Sequence, residues 1–285
     1  MPVHDDLGIR MKENYEKPAQ TKLIRRTPVA IRIDGKAFHT FTRGFQKPFD
    51  SVLIAAMQET TKYLCEHIQG CVFGYTQSDE ITLILVDYDK LETCAWFDYE
   101  VQKLCSISAS MATMVFNKMF QNNVFDIDPL VTFYDGEDPS EFEYAKKYGF
   151  DAKTPEGVSN LEKYCKKYNE AIDKGAMFDA RCFNIPKEEV TNLIYWRQLD
   201  ATRNSVQMVG RANYSHKELY GLSCNEIQNK LLTEKNINWN DYSTVCKRGS
   251  ACLKNEEGKW FIDTEIPILK GEDRNYIDKL IYIGE

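Results

Sequence analysis

A run of small and β-branched residues, Val29-Ala30-Ile31-Arg32-Ile33, stops abruptly at Asp34-Gly35-Lys36. The run has the length of one buried strand, and an acid followed by glycine marks a tight turn at its end. A second strand-like run, Cys71-Val72-Phe73-Gly74-Tyr75, is broken by the polar Gln77-Ser78-Asp79-Glu80 before Ile81 to Val86 resumes. Two strands around a polar tip predict a hairpin with carboxylates at its end. If that hairpin lies beside the first strand, Asp34 and Asp79 converge. Converging carboxylates are what a hard divalent cation takes as ligands.

At 285 residues the chain has room for one large domain or two modest ones. Its 43% hydrophobic and 28% charged content describes an ordinary soluble protein. A formal net charge of −7 gives no global attraction to nucleic acid, so any RNA contact must come from local basic patches. Nine scattered cysteines without a Cys-x-x-Cys pair, and no apparent signal peptide, predict a cytoplasmic protein with free thiols and no zinc site. No run has the length of a membrane span.

Residues 1–27 read as a polar N-terminal arm with a short amphipathic helix ended by Pro18 and a basic cluster at Lys22, Arg25 and Arg26. It is either a solvated arm or one that touches substrate. After the first strand comes a loop carrying Phe38, His39, Phe41, Arg43, Phe45, Lys47 and Phe49, and then Asp50 or Ser51 caps a helix to about Gln69. Strands at about 71–77 and 81–87 and a long helix over about 92–120 follow. One more strand, around Arg181 to Ile185, completes an α+β fold, a split βαββαβ unit with an antiparallel sheet and its helices on one face. The palm so defined covers 28–122 and 178–213. Between its parts, 123–177 reads as a peripheral insertion with short helices. A polar helix spans about 187–213, and 214–285 reads as a C-terminal helical, RNA-contacting region. Its two short runs, Ala251-Cys252-Leu253 and Trp260-Phe261-Ile262, form a small hairpin.

Asp34 and Asp79, strand-end carboxylates on such a scaffold, match the two-metal arrangement of nucleotidyl-transferring palm domains. Charge builds on the transferring phosphorus, which a neutral site would not stabilise. Gly35 permits a sharp turn, after which the amides through His39 can act as an anion nest. The competing reading is an ordinary Asp-Gly turn and a solvated hairpin tip. Glu80 joins the candidate catalytic acids, unless it points away from the metals. Lys36, Arg43 and Lys47, interleaved with phenylalanines, suit phosphates and bases, although the phenylalanines read more simply as core. Trp196, Arg197, Asp200 and Asn204 share one helical region and read as a semi-buried network.

These residues fall in ordered motifs: Arg32-Ile33-Asp34-Gly35-Lys36-Ala37-Phe38-His39, Phe45-Gln46-Lys47-Pro48-Phe49-Asp50, Tyr75-Thr76-Gln77-Ser78-Asp79-Glu80, Phe178-Asp179-Ala180-Arg181, and Trp196 through Asn204. In that order they resemble the tRNA-His guanylyltransferase family, including its guanylyltransferase-like members. The resemblance covers about 28–120 and 176–265. It implies a polymerase- and cyclase-like palm in which Asp34, the Gly35 carbonyl and Asp79 hold two Mg²⁺. It further implies that the backbone from Asp34 through Lys36, Ala37 and Phe38 to His39, with Ser78, Lys47 and Asp50, binds a nucleoside triphosphate. Members activate a tRNA 5′-monophosphate with ATP, and then the 3′-hydroxyl of GTP or another NTP attacks that end. Arg197 and Asn204 match positions on the activation and RNA side, and members are often tetramers.

The members dedicated to tRNA-His carry His-Ile-Asn-Asn-Leu-Tyr where this chain has Thr202-Arg203-Asn204-Ser205-Val206. That departure resembles the guanylyltransferase-like branch, which repairs truncated tRNA 5′ ends by templated addition. Two rivals remain. A palm-type nucleotide cyclase would need a Gly-Gly-(Asp/Glu)-Glu-Phe turn where Gln77-Ser78-Asp79-Glu80 stands. A catalytically silent RNA-binding palm would gain nothing from Asp34 and Asp79.

Overall fold

A computed structural model describes residues 5–128, 146–150 and 154–283. Strand β1 (Val29–Gly35) alternates as its sequence dictates: Val29, Ile31 and Ile33 enter the larger core, while Ala30 enters a second core on the opposite face. Helix α1 (Asp6–Met11) lies in the arm before it, α2 (Phe38–Phe41) follows at once, and then come α3 (Ser51–His67), β2 (Cys71–Gln77), β3 (Glu80–Leu85), α4 (Val101–Phe125), α5 (Pro155–Lys174) and β4 (Phe178–Asn184). After α6 (Lys187–Asn213) come α7 (His216–Leu219), α8 (Cys224–Lys235), α9 (Thr244–Arg248), β5 (Ser250–Lys254), β6 (Trp260–Asp263) and α10 (Asn275–Ile281). The sheet order is β4-β1-β3-β2-β5-β6, with every pairing antiparallel. Its first four strands are the βαββαβ unit. The C-terminal hairpin is not a separate piece: β5 pairs with β2 and lengthens the palm sheet.

The sheet is covered on both faces. Helices α3, α4 and α5 bury one face, through Val52, Met57, Leu64, Leu104, Phe116, Phe120, Leu161 and Tyr168. The helices of the βαββαβ unit do lie on one side, as expected. The other side is covered by α6 and α10, whose Val190, Ile194, Ile277 and Ile281 pack on Ala30, Phe73, Tyr75 and Ile84. Here the polar helix of the sequence becomes a lid on half of the core.

The long helix begins later than its composition suggests, at Val101 rather than near 92, and runs to Phe125. Phe97, Asp98 and Tyr99 adopt left-handed backbone angles (φ 48°, 51° and 54°), which no α-helix continues through. The segment before β1 fixes this corner. Leu23 N donates to Tyr99 O, Val101 N donates to Thr21 O, Lys22 and Arg25 pair with Asp98, and Arg25 Nε lies 2.5 Å from Asp87. Two of the three residues of the basic cluster, Lys22 and Arg25, are thus held by acids of the same chain.

The described part of 123–177 is not peripheral. Helix α5 carries Leu161, Cys165, Tyr168 and Ala171 into the main core. Phe38, Phe41, Phe45, Phe116, Phe120, Phe178 and Tyr168 form one aromatic cluster, with neighbouring ring centroids such as Phe45–Tyr168 at 4.8 Å and Phe41–Phe116 at 5.8 Å. Phe38, Phe41 and Phe45 are therefore core, while the half-buried Phe49 packs against Tyr242. Residues 129–145 and 151–153 of that stretch lie outside the described residues.

Tyr168 also donates its hydroxyl to the buried Asp50 at 2.7 Å. Removing it in Tyr168→Phe takes a donor from a buried carboxylate and should lower stability by about 1–3 kcal/mol in urea denaturation. A change within about 0.5 kcal/mol would mean that α5 does not bear on that loop.

Candidate active site

The site assembles at one end of the sheet because register brings distant acids side by side. Asp34 pairs across β3 with Glu80 and across β4 with Asp179, and Gly35 N donates to Asp79 O at 3.1 Å. At the hairpin tip Ser78 takes the left-handed region (φ 51°), and its hydroxyl donates to Asp79 Oδ1 at 3.0 Å. Burial, with Glu80 and then Asp179 as like-charged neighbours, raises the Asp34 carboxyl above its ordinary pKa. Burial likewise raises that of Asp79, with smaller contributions from Asp34 and Glu80.

Gly35 serves a different end from the one its turn signal suggests. The left-handed residue of the turn is Ala37 (φ 54°), and a Cβ on Gly35 would lie 2.2 Å from the Phe38 ring. The close approach of that ring is what requires glycine. The expected anion nest is also shorter than the stretch from Asp34 to His39. The Gly35 amide goes to Asp79 O and the Lys36 amide to Met177 O at 2.8 Å. The amides of Ala37, Phe38 and His39 lie ahead of the first bond of α2, which Thr40 N makes to Ala37 O. Lys36, His39 and Lys47 are exposed beside this turn.

Asp50 is engaged more fully than a ligand-binding carboxylate would be. Oδ1 accepts from Leu53 N as the cap of α3, and Oδ2 accepts from Gln46 N at 2.9 Å and from the Tyr168 hydroxyl. It holds the loop that presents Lys47 and Phe49. Asp50, Leu53, Ser78, Asn204, Met208 and Cys246 line a narrow cleft next to the carboxylates. The structure thus brings together Asp50, Ser78 and Asn204, from three distant motifs.

Glu80 is not a free acid. Arg197 grips it with two bonds, Nε to Oε1 and Nη2 to Oε2, both 2.7 Å, and Arg32 Nη2 adds a third at 2.9 Å. Glu80 is 5% and Arg197 6% exposed. Arg197 also bonds Asp200 at 2.9 Å, Asp200 pairs with Arg203, and Asn204 Nδ2 approaches Asp200 at 3.5 Å. Trp196 stands half out of the surface with the Arg197 and Arg32 guanidiniums 4.4 and 5.2 Å from its ring. The polar network expected on this helix exists, and Glu80 is its anchor: three arginine bonds leave it as a positioning group rather than a catalytic acid.

Asp179 was missed as a site residue. Phe178-Asp179-Ala180-Arg181 is one of the ordered motifs but assigns Asp179 no role, and only the register Asp34↔Asp179 places it against the first carboxylate. It is paired with Arg181 at 3.1 Å. Among the described residues no cluster of three or more His, Cys, Asp or Glu side chains is arranged to hold a metal. The oxygen set that remains is Asp34, Asp79 and the Gly35 carbonyl. Hard oxygens with room for water suit Mg²⁺, which keeps several waters when protein-bound. Neither Asp34 nor Asp79 has an ion-pair partner among the described residues, so the donors fit a divalent cation.

The sequence model of the Thg1 family, tRNAHis guanylyltransferase, matches residues 9–186, well over half of the chain. The chain belongs to the tRNAHis guanylyltransferase family. A solved structure of a bacterial Thg1-like protein in complex with ATP is 39% identical with a TM-score of 0.76, and 97% of this chain and 100% of that one are covered. A bacterial Thg1-like protein in complex with GTP is 34% identical with a TM-score of 0.72, covering 98% and 100%. An uncharacterized protein, R259, of Acanthamoeba polyphaga mimivirus is 29% identical over 270 residues, 86% of this chain and 78% of that protein. Membership in the guanylyltransferase family makes the chain a nucleotidyltransferase. No helix among the described residues is long and apolar enough to cross a membrane.

Two outcomes test this geometry. Arg197→Met leaves buried Glu80 short of two bonds and should cost about 3–5 kcal/mol of stability, most of it recovered in an Arg197→Met, Glu80→Leu double variant. Equal losses in single and double variants would contradict the buried pair. The second outcome concerns pH. Because the native state holds the Asp34 and Asp79 protons more tightly than the unfolded chain does, their favourable contribution is complete below the ordinary carboxylate pKa. It is lost as pH rises through the raised native values. In chelated buffer Asp34→Asn and Asp79→Asn should therefore raise the melting temperature at neutral pH, and the gain should fade on acidification.

Proposed function

We propose that this guanylyltransferase-family chain is an Mg²⁺-dependent 3′–5′ nucleotidyltransferase that extends tRNA 5′ ends, and that it repairs truncated ends by templated addition. The observation that carries the reaction class is the convergence of Asp34 and Asp79, two half-buried carboxylates with no ion-pair partner among the described residues, beside the amides of Ala37, Phe38 and His39, which lie ahead of the first bond of α2. Two Mg²⁺ held by Asp34, Asp79 and the Gly35 carbonyl would supply activation of the attacking hydroxyl and neutralisation of the departing phosphate charge. The protein's own groups bind and orient. The amides of Ala37, Phe38 and His39, with Lys36 and Lys47, receive triphosphate oxygens, and the cleft bounded by Ser78 and Asn204 takes the base and sugar. Asp50 acts through the loop it holds, and Glu80 through Arg197 and the hairpin.

ATP and GTP as substrates accord with the bacterial Thg1-like proteins in complex with each. In the first step the RNA 5′-phosphate oxygen attacks the α-phosphorus of ATP and pyrophosphate leaves. In the second, the 3′-hydroxyl of an incoming NTP attacks the 5′ phosphorus and AMP leaves. Preference for templated repair rests on Thr202, at the position where members dedicated to tRNA-His begin their His-Ile-Asn-Asn segment. Its hydroxyl donates to Lys247 O at 3.2 Å, so here the side chain joins α6 to α9.

The test offers purified protein, Mg²⁺, ATP and one NTP at a time to a tRNA lacking its first 5′ nucleotide and to full-length tRNA-His. Addition of the base complementary to the 3′ strand of the truncated RNA is expected. Guanine addition confined to tRNA-His would replace this reading with dedicated guanylylation. Asp79→Ala should abolish either addition together with the Mg²⁺-induced rise in melting temperature, and an active variant would sink the metal assignment.

A further inference from the structure

Helix α6 carries a straight stripe that the reaction centre uses only at its start. Trp196, Asp200, Arg203, Gln207 and Arg211 recur at three- and four-residue steps and therefore lie on one face. The stripe begins at the exposed Trp196 ring beside the carboxylate cluster. It ends, about 22 Å further on by helical rise, where Gln207 and Arg211 open into a separate cavity of about 200 Å³. His216, Leu219 and Tyr220 close that cavity. Buried Ile227 floors it, and a Cβ on Gly210 would come within 2.9 Å of the Ile227 side chain.

The chemistry of the walls selects a ligand. Arg211 Nη2 bonds Gln207 Oε1 at 3.2 Å, which holds its guanidinium at the mouth. Tyr220 is 80% exposed, and its ring stands 6.1 Å from that of His216. An apolar floor, an amide, two aromatic walls and a single guanidinium suit one planar base with one phosphate. Among the described residues Arg211 is the only guanidinium or ammonium group in the lining, too few to hold a triphosphate. A base reaches such a slot only when unpaired, because a duplex keeps its bases stacked. Unpaired nucleotides near a tRNA 5′ end belong to the 3′ overhang of the opposite strand. The length of the stripe is that of about six stacked nucleotides at roughly 3.4 Å per step, and fewer if the strand is extended.

We propose that this cavity receives an unpaired nucleotide of the 3′ overhang, delivered along the Trp196–Arg211 stripe. The proposal rests on the 5′-extension reading above. It adds a second anchor, outside the nucleotide site, by which the enzyme grips the strand opposite the growing end.

The test uses the full chain with 5′-truncated tRNA that keeps or lacks its 3′ overhang, read both as extension kinetics and as anisotropy of the labelled RNA. Removing the overhang should weaken wild-type binding and raise KM for RNA about tenfold, the scale of one base–aromatic stack. Tyr220→Ala should reproduce that loss with the overhang present and change nothing once it is removed, while Tyr220→Phe keeps wild-type binding. Arg211→Gln should lower affinity for the overhang-bearing RNA alone. KM for the NTP should stay fixed in each variant. Equal effects on both RNAs, no effect on either, or a shift confined to the NTP would overturn the proposal. If wild type extends neither RNA, the extension reading fails, and the anisotropy arm still decides the cavity by the same comparison.

Discussion

Two bonds of 2.7 Å from Arg197 to Glu80 hold the helix over one sheet face to the hairpin that presents Asp79. Both partners are buried, so much of their attraction is offset by the cost of leaving water. What the pair contributes is position. Three consecutive residues of α6 reach in three directions: Trp196 out to solvent, Arg197 to the hairpin, and Gln198 to the C-terminal segment. Gln198 Nε2 donates to Pro267 O at 2.9 Å and its Oε1 accepts from Leu269 N at 3.1 Å. Rotation of α6 about its axis would break the bonds of both Arg197 and Gln198. With that rotation fixed, Asn204 stands over the cleft and the Arg203–Arg211 face is turned outward.

The strands and the caps were legible because they are local. A β-branched run closed by Asp34-Gly35, and an acid placed to cap at Asp50, carry their signals in neighbouring residues. What escaped was set by partners far along the chain. Glu80 sits next to Asp79 in sequence, and that adjacency invited a shared role. Yet Asp79 belongs to the turn, whereas Glu80 is the first residue of β3 and faces α6. Asp50 reads as a cap, but its second oxygen is taken by Tyr168, 118 residues away. The same contact explains why α5 lies in the core: its helical spacing was plain, while its docking depended on a cluster of phenylalanines contributed by β4, α4 and the loop after β1. Asp179 stands in a motif that assigns it no role, and strand register alone sets it against Asp34.

Charge pairing at the sheet end separates the acids by role. Five carboxylates gather there in a chain that already carries a net charge of −7: Asp34, Asp79, Glu80, Asp179 and Asp200. Arg197 and Arg32 neutralise Glu80, Arg181 pairs with Asp179, and Arg197 and Arg203 pair with Asp200. Every local arginine is thereby committed to an acid other than Asp34 and Asp79. Those two have no cation of their own among the described residues, and burial and their neighbours hold both above the ordinary carboxylate range.

A fold selected for stability alone would not leave that pair uncompensated while supplying partners to the acids around it. Positive charge arriving from outside the chain would relieve the imbalance, and on the proposed reading a divalent cation travelling with a polyphosphate would bring it together with the substrate. The surrounding arginines, bound to their acids, keep the site from binding phosphate indiscriminately. On the proposed reading, affinity for the triphosphate would be tied to the cation, and affinity for RNA would fall to the outward face of α6. Nucleotide and nucleic acid, both polyanions, can then occupy one end of the sheet without competing for the same charges.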